Sequence, residues 1–309
     1  MLFDPQPLSF ERDGRDWPNR EASAFVETKD FRWHIQRMGK GPKLFMLHGT
    51  GASTHSWAGL LPLLAKRFDV LAPDLPGHAF TQAKRSPDLS LRGMTRACAA
   101  LLGTLDFPPK VVVGHSAGAA ILAQMCLTGC IAPDLLVSLN GAFLPFEGPA
   151  QVVFPSIAKL LFLNPLVPRA FSWMASENSV ANLIAGTGSH IDRRGLDLYA
   201  RLIGNPAHVA GALGMMANWD LSRMADDLPR LRMRVLFVVG ANDKAVPPRN
   251  AEMLAASMPN AQVVVIPNAG HLAHEEKPEE TAEIIFEEAA RLHVISPAKA
   301  KRPPRRHAP

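Results

Sequence analysis

Cysteine, tyrosine and long apolar runs are scarce in this chain of 309 residues, and each scarcity excludes a class of protein. The three cysteines, Cys98, Cys126 and Cys130, have neither metal-ligand spacing nor the pattern of a disulfide framework, so we expect buried free thiols. No apolar stretch approaches the length of a membrane span, and residues 1–20 contain no hydrophobic signal-peptide segment. We therefore expect a cytoplasmic protein that uses no metal ion and no cofactor.

An excess of one charge is also missing from the body of the chain. The formal net charge of +5 is matched by five basic residues in a stretch without acidic residues at the C-terminus: Lys299, Lys301, Arg302, Arg305 and Arg306. This basic tail, residues 296–309, is predicted to be disordered, with weak contact to an anionic membrane surface as an alternative to simple solvation. The rest of the chain is about neutral, the chain contains one tyrosine, and no motif typical of DNA- or RNA-binding domains is present. The sequence therefore gives no indication of nucleic-acid binding.

Short apolar runs alternate with helical patterns along most of the chain. A hairpin is predicted over 24–27 and 31–37, followed by strands over 44–47, 69–72, 110–113, 135–139, 234–239 and 262–266. Helices are predicted between them, including one over 57–67. This alternation is typical of an α/β fold, a mostly parallel central sheet flanked by helices.

The alternation stops in the middle of the chain, where prolines separate short apolar helical pieces and no strand pattern is convincing. We interpret residues 143–228 as a helical cap inserted into a core formed by residues 21–142 and 229–295. Residues 1–20 are predicted to form an irregular N-terminal arm.

The most informative motif is Gly114-His115-Ser116-Ala117-Gly118, which directly follows a predicted strand. A strand, a sharp turn and small residues that open a helix are the layout of a nucleophile elbow. The turn holds the serine in a strained backbone conformation and presents its Oγ at the carboxyl edge of the sheet. Because so short a pattern recurs by chance, the interpretation depends on further parts of a hydrolytic site.

A glycine-rich loop supplies the first of these parts. His48-Gly49-Thr50-Gly51 follows the strand predicted over 44–47 and can turn the Thr50 N–H toward a substrate. Together with the Ala117 N–H it would form an oxyanion hole for a tetrahedral intermediate. A plain glycine turn is the alternative.

An acid and a base supply the remaining parts. Asp243 follows the strand predicted over 234–239, and His271 follows the last predicted strand. The chain order Ser116, Asp243, His271 is that of the α/β-hydrolase fold. The sequence therefore predicts a serine-histidine-aspartate triad. Other histidines show no ligand spacing and are interpreted as isolated: His34, His55, His78, His190 and His208.

Several longer stretches carry a more specific resemblance. Residues 17–23, 33–36, 48–57, 72–78, 114–120, 186–189, 208–213 and 215–221 resemble the magnesium-chelatase accessory protein family of bacteriochlorophyll biosynthesis, α/β-hydrolases encoded among the photosynthesis genes of purple bacteria. The resemblance implies a role near magnesium insertion into protoporphyrin IX, with magnesium-chelatase subunits as candidate partners. Ala79 departs from the Pro-Gly-His-Gly of related sequences, and alanine there is strained if the position needs a positive φ.

The cap and the resemblance together suggest a small-molecule substrate, with a large planar tetrapyrrole as one candidate. The pocket candidates are His48, His115, Phe143, Met215 and Trp219. For the apolar side chains of the cap, packing within the cap itself is the alternative. Candidates for pairing with a propionate are Arg193, Arg194 and Arg201, unless they are surface charges.

The sequence is compatible with three functions. The first is a serine hydrolase that cleaves an ester or similar acyl bond in or beside bacteriochlorophyll biosynthesis. The second is a non-catalytic accessory protein that binds porphyrin or the chelatase. The third is a general carboxylesterase or C–C hydrolase.

Overall fold

The central element of the fold is one nine-stranded sheet. The structure is a computed structural model, and it describes residues 6–145, 167–173 and 176–297. Its strands are β1 Ser23–Glu27, β2 Phe31–Met38, β3 Lys43–Leu47, β4 Asp69–Pro73, β5 Gln82–Ala83, β6 Val111–His115, β7 Leu135–Leu139, β8 Arg234–Gly240 and β9 Ala261–Ile266. The strand order is β1-β2-β4-β3-β6-β7-β8-β9, with β5 paired to β2.

Pairing is antiparallel at the β1–β2 end and parallel from β4 to β9. Because parallel strands end at the same edge, the loops after β3, β6, β7, β8 and β9 meet along one edge of the sheet. The β6 strand lies between β3 and β7, so the residues that follow it stand near the middle of that edge.

Helices cover both faces of the sheet. They are α1 Phe10–Asp13, α2 Leu60–Leu64, α3 Leu91–Thr104, α4 Ala117–Leu127, α5 Val167–Trp173, α6 Glu177–Gly186, α7 Arg193–Ile203, α8 Pro206–Ala217, α9 Met224–Asp227, α10 Pro248–Ala256, α11 Ala273–Glu276 and α12 Pro278–Arg291. Local signals set several helix starts: Ser90 Oγ accepts the Gly93 N–H at α3, and proline opens α8, α10 and α12.

Two apolar layers sandwich the sheet, as the run of valines in β6 requires. Val112 joins the layer formed with α3 and α4, whereas Val111 and Val113 join the opposite layer with α2 and α12. Successive side chains of a strand point to opposite faces, so a strand buried on both faces is apolar at every position. These observations confirm the predicted α/β-hydrolase class of fold.

The segment between β7 and β8, residues 143–228, is called the cap segment below. In its described part every regular element is a helix, α5 to α9, as the absence of a strand pattern indicated. Residues 146–166 and 174–175 of this segment, and the tail from residue 298 onward, lie outside the described residues, so the predicted disorder of the tail stays a prediction.

Several local expectations were wrong. The predicted helix over 57–67 shortens to a 3₁₀ turn, Thr54–Trp57, followed by α2. The arm predicted as irregular contains α1, and its Trp17 is buried with its indole N–H donated to Thr54 Oγ1 at 3.0 Å. Of the thiols expected to be buried, Cys98 is buried but Cys130 is exposed. Within the described ranges, no helix combines the length and apolar character that crossing a membrane requires.

Candidate active site

Ser116 lies in the sharp turn between β6 and α4, with φ 50° and ψ −118°. A positive φ at a non-glycine residue costs on the order of 1–3 kcal/mol and persists where surrounding contacts enforce it. Here the Ser116 N–H donates to the Leu139 carbonyl at 3.0 Å, and the Ser116 carbonyl accepts from the N–H groups of Ala119 and Ala142, both at 3.1 Å. A Cβ at Gly118 would come within 2.2 Å of the Leu47 carbonyl oxygen, so the turn requires glycine there.

Asp243 and His271 form a hydrogen-bonded pair at the same edge of the sheet. His271 Nδ1 donates to Asp243 Oδ2 at 2.9 Å, so Nε2 is the ring nitrogen turned away from this carboxylate. Asp243 Oδ1 accepts the N–H groups of Ala245 and Val246, both at 2.8 Å, so the buried carboxylate is held in one orientation. The His271 side chain is 11% exposed, which leaves the ring accessible at its edge.

Asn140 is a part of this arrangement that the sequence reasoning missed. It follows β7 with φ 48°, and its Nδ2 donates to Asp243 Oδ2 at 2.6 Å and to the Gly270 carbonyl at 3.4 Å. The side chain therefore joins the loop that carries the acid to the loop that carries the histidine. A polar residue directly after a predicted parallel strand was the available signal.

The loop after β3 lies against the serine. A Cβ placed on Gly49 would be 2.9 Å from Ser116 Cβ, so the Gly49 backbone lies next to the serine side chain. In the described part of the chain, the N–H groups of Thr50 and Ala117 donate to no protein acceptor. Ala117 is the first residue of α4, where a helix leaves its N–H groups unpaired. Both groups predicted for the oxyanion hole are thus free donors.

Ser116 Oγ and the His271 ring share no hydrogen bond within the described structure. Their loops nevertheless adjoin, because the His115 side chain, next to Ser116, donates from Nε2 to the His271 carbonyl at 3.0 Å. Catalytic hydrogen bonds are often long without substrate and tighten when it binds.

Three of the five pocket candidates are buried, and their place in a substrate pocket stays a prediction. His48 is buried, with Nδ1 donated to the Gly49 carbonyl and Nε2 accepting the Leu75 N–H. His115 is buried behind Ser116, where desolvation lowers its pKa well below the usual range. Phe143 is 1% exposed and packs edge-to-face on Phe237.

The other two candidates lie on α8 of the cap segment or directly after it. Met215 is buried and its Sδ accepts a hydrogen bond from Thr50 Oγ1 at 3.4 Å, which places it beside the candidate oxyanion loop. Trp219 is half-buried and packs against the core layer formed with α3 and α4.

Four of the five histidines interpreted as isolated, His34, His55, His78 and His208, are buried and contact other side chains. His34 Nδ1 donates to the buried carboxylate of Asp74 at 2.8 Å, and the rings of His48, His78 and His208 follow one another with 5.3 Å between centroids. Although burial opposes ionisation of Asp74, His34 and backbone N–H groups hold its pKa well below the usual range.

His55 packs nearby on the Tyr199 ring, with 4.4 Å between centroids, whereas His190 is exposed. Among the described residues, no three histidine, cysteine or carboxylate side chains are arranged to hold a metal ion. The sequence could not show that these histidines lie together, because they come from separate parts of the chain.

Two contacts dock the cap segment onto the loops that follow β8 and β9. Ser189 Oγ accepts the Leu272 N–H at 2.8 Å, and the Thr187 carbonyl accepts the Lys244 N–H at 3.0 Å. The stretch at 186–189 therefore contacts both the Asp243 loop and the His271 loop.

Arginines of α7 connect the cap segment to the N-terminal arm. Arg201 pairs with Asp16 at 2.7 Å, and Arg194 donates to the Asp16 carbonyl at 3.2 Å. These two side chains already have protein partners, which speaks against the propionate role considered for them. Arg193 is exposed.

The carboxylate of Glu275, whose side chain is 10% exposed, joins the cap segment to α11. Glu275 Oε1 accepts hydrogen bonds from Tyr199 on α7 at 2.7 Å and from Ser56 at 2.6 Å. Desolvation raises the pKa of Glu275 to about 7, because burial penalises the charged form more than the two hydroxyl donors stabilise it.

Comparison with known sequences identifies the class of protein to which this fold and site belong. The profile of the alpha/beta hydrolase family matches residues 44–284, which is most of the chain. The chain belongs to the alpha/beta hydrolase family.

Individual relatives refine this assignment. The magnesium-chelatase 30 kDa subunit of Rhodobacter capsulatus is 38% identical over 266 residues, covering 84% of this chain and 92% of that protein. The pimeloyl-(acyl-carrier protein) methyl ester esterase of Aeromonas hydrophila subsp. hydrophila is 28% identical over 256 residues, covering 81% and 96%. An alpha/beta hydrolase fold protein from Burkholderia ambifaria superimposes with a TM-score of 0.72 at 22% identity, covering 92% of this chain and 100% of that one. The resemblance inferred from the motifs is confirmed.

Removal of the Asn140 amide should destabilise the protein. Asn140→Ala leaves the buried Asp243 carboxylate without one of its donors, and we expect a loss of about 1.5–3 kcal/mol in the free energy of unfolding, measured by urea denaturation. Asn182→Ala, at an exposed position of α6, is the control and should change the free energy by less than about 0.5 kcal/mol. Equal effects of the two substitutions would contradict the role given to Asn140.

The raised pKa of Glu275 predicts a specific pH dependence of stability. The carboxyl ionises near pH 4.5 when the chain is unfolded but near pH 7 when it is folded, so its contribution is lost as the pH rises between these values. Compared with Glu275→Gln, the wild type should lose on the order of 3 kcal/mol of unfolding free energy between pH 4.5 and pH 8. Glu279→Gln, at an exposed position, should leave the wild-type pH profile unchanged. Parallel profiles for wild type and Glu275→Gln would show that the carboxyl is not desolvated.

Proposed function

We propose that this protein is a serine hydrolase that cleaves an ester or a related acyl bond, in a reaction sequence that involves magnesium chelatase. The observation that carries the proposal is the convergence at one sheet edge of a strained serine, a hydrogen-bonded aspartate–histidine pair and two free N–H donors. These are the parts that acyl transfer through a tetrahedral intermediate requires.

In the proposed first half-reaction, Ser116 Oγ forms a bond to the carbonyl carbon of the substrate while its proton passes to His271 Nε2. Asp243 stabilises the imidazolium that results, because it already accepts the Nδ1 proton. The carbonyl oxygen becomes an oxyanion that accepts hydrogen bonds from Thr50 and Ala117. The bond to the leaving group then breaks, and His271 gives its proton to the leaving oxygen.

In the second half-reaction, water attacks the acyl group on Ser116 and its proton passes to His271. Collapse of the second tetrahedral intermediate releases a carboxylic acid and returns the proton to Ser116 Oγ. Each oxyanion-hole donor contributes roughly 3 kcal/mol to such steps in other serine enzymes. A serine nucleophile fits esters better than epoxides or alkyl halides, for which this fold usually supplies an aspartate.

Two features support the proposed biological setting. The 38% identity to a protein named as a magnesium-chelatase subunit covers most of both chains, which suggests a related role. The cap segment adjoins the candidate site through Met215, Thr187 and Ser189, so its shape would select the substrate. We propose a small molecule as substrate, with a tetrapyrrole ester as the leading candidate, and chelatase subunits as partners.

The name of that relative also favours a second candidate function. A subunit of a chelatase need not turn over a substrate, so the chain would then bind porphyrin or the chelatase without catalysis. The fold would serve as a binding scaffold, and the serine would be dispensable.

Chemical labelling of the purified protein distinguishes a catalytic role from a purely binding role. We expect a fluorophosphonate probe to label the wild type at Ser116, and short p-nitrophenyl esters to be hydrolysed. Ser116→Ala should abolish labelling and lower kcat by at least about 10⁴-fold, since the nucleophile is lost. Ser86→Ala, at an exposed position, is the control and should behave like wild type. A folded wild type that neither labels nor hydrolyses any ester would refute the hydrolase proposal.

Complementation separates the two functions in cells. In a strain that lacks the gene, the wild-type gene should restore pigment formation and the Ser116→Ala gene should not, with the accumulated pigment identifying the blocked step. Full restoration by Ser116→Ala, together with co-purification with chelatase subunits, would favour the accessory role.

A further inference from the structure

Three buried histidines hold the backbone of the candidate oxyanion loop. The first, His48, donates from Nδ1 to the Gly49 carbonyl at 2.8 Å, while its Nε2 accepts the Leu75 N–H at 2.9 Å. Since a trans peptide directs its C=O and N–H to opposite sides, a Gly49 carbonyl turned toward His48 turns the Thr50 N–H away from that ring. The Gly49 carbonyl also accepts the Ala52 N–H at 3.2 Å, so His48 and this turn together set the direction of the donor proposed for the oxyanion hole.

The next residue along the loop is held on both of its sides. The Gly51 N–H donates to His78 Nε2 at 3.1 Å, and the Gly51 carbonyl accepts from His208 Nε2 at 3.0 Å. With both peptide groups engaged, Gly51 cannot rotate freely, although it is the residue type with the most backbone freedom. The peptide that follows Thr50 is therefore fixed as firmly as the peptide that precedes it.

The tautomers of these rings follow from their second partners. His78 Nδ1 donates to the Pro76 carbonyl at 3.1 Å, and His208 Nδ1 accepts the Ala79 N–H at 3.0 Å. Each ring must thus carry one proton and one lone pair. Desolvation favours this neutral form, lowering the pKa of His48 to about 3, of His78 to about 4 and of His208 to about 3.

His208 differs from the other two because it lies on α8 of the cap segment. The same helix comes close to the core at Gly211, where a Cβ would meet the Gly77 carbonyl oxygen at 1.8 Å. It reaches the loop a second time at Met215, whose Sδ accepts the Thr50 hydroxyl. One helix of the cap segment therefore contacts both Thr50 and Gly51.

Ala79, which stands where related sequences have glycine, takes part in the same contact between α8 and the core. Ala79 has φ 41°, the positive value that disfavours alanine, and its N–H is the donor to His208. The strained backbone presents that N–H to the ring of the cap helix.

We propose that His208 is a positioning residue through which docking of cap helix α8 completes the oxyanion hole. Contact of His208 with Gly51, together with His48 and His78 from the core, holds the Thr50 N–H in the direction that an oxyanion requires. The inference rests on the proposed hydrolase function and adds that activity depends on the docked position of α8. It also predicts that His208 affects the chemical step more than substrate binding.

The test compares His208→Ala and His208→Gln with His190→Ala, which removes an exposed histidine of the same segment. We expect His208→Ala to lower kcat for a p-nitrophenyl ester by about 10- to 100-fold with KM within about threefold, because a displaced donor weakens transition-state binding. Fluorophosphonate labelling of Ser116 should slow by a similar factor. His208→Gln, which retains one N–H donor, should retain more activity than His208→Ala. The apparent pKa of the acid limb of the pH–rate profile should not move.

Amide hydrogen exchange of the peptide containing residues 49–52 provides a readout independent of catalysis. We expect faster exchange in both His208 variants, measured at a temperature at which circular dichroism shows them folded, and wild-type exchange in His190→Ala. Wild-type exchange in folded His208 variants, or faster exchange with unchanged kcat, would overturn the inference. A wild type that neither labels nor hydrolyses esters would refute the proposed function, and exchange would then report on the contact alone.

Discussion

Parallel pairing from β4 to β9 is the constraint on which the candidate site depends. It aligns the carboxyl ends of the strands, so loops far apart in the chain end at one edge. Ser116 follows β6 in the middle of that edge, the Thr50 loop follows β3 on one side, and Asp243 follows β8 on the other. The apolar layers on both faces keep the pairing in register, because a slip of one residue would exchange the side chains of the two layers.

Buried polar groups with defined hydrogen-bond partners surround these loops and restrict their conformation. Removing imidazoles from water favours their neutral form, and a neutral ring offers one donor and one acceptor. His48, His78 and His208 use both to bind backbone groups, whereas Asn140 donates from Nδ2 to the Asp243 carboxylate. Because buried polar groups are costly to leave unpaired, these contacts give the loops a unique conformation.

Much of the fold could be predicted because its signals are local. Strand β7 was predicted with its observed bounds, and the other core strands within about two residues, since buried parallel strands are short apolar runs bounded by turns. The elbow around Ser116 was equally visible, because small residues must flank a turn with positive φ. The two-residue strand β5 and the four-residue helix α1 were missed, as so few residues show no periodicity.

The sequence by itself determined the class of fold, the chain order of Ser116, Asp243 and His271, and the resemblance to the chelatase relative. Tertiary structure alone decided which side chains meet: Asn140 with Asp243, Tyr199 with Glu275, and His208 with Gly51, 157 positions away. It also decided that four of the pocket candidates, His48, His115, Phe143 and Met215, are buried. The physical reason is that periodicity and turn chemistry depend on neighbouring residues, whereas the partner of a buried histidine depends on which loops the folded sheet brings together.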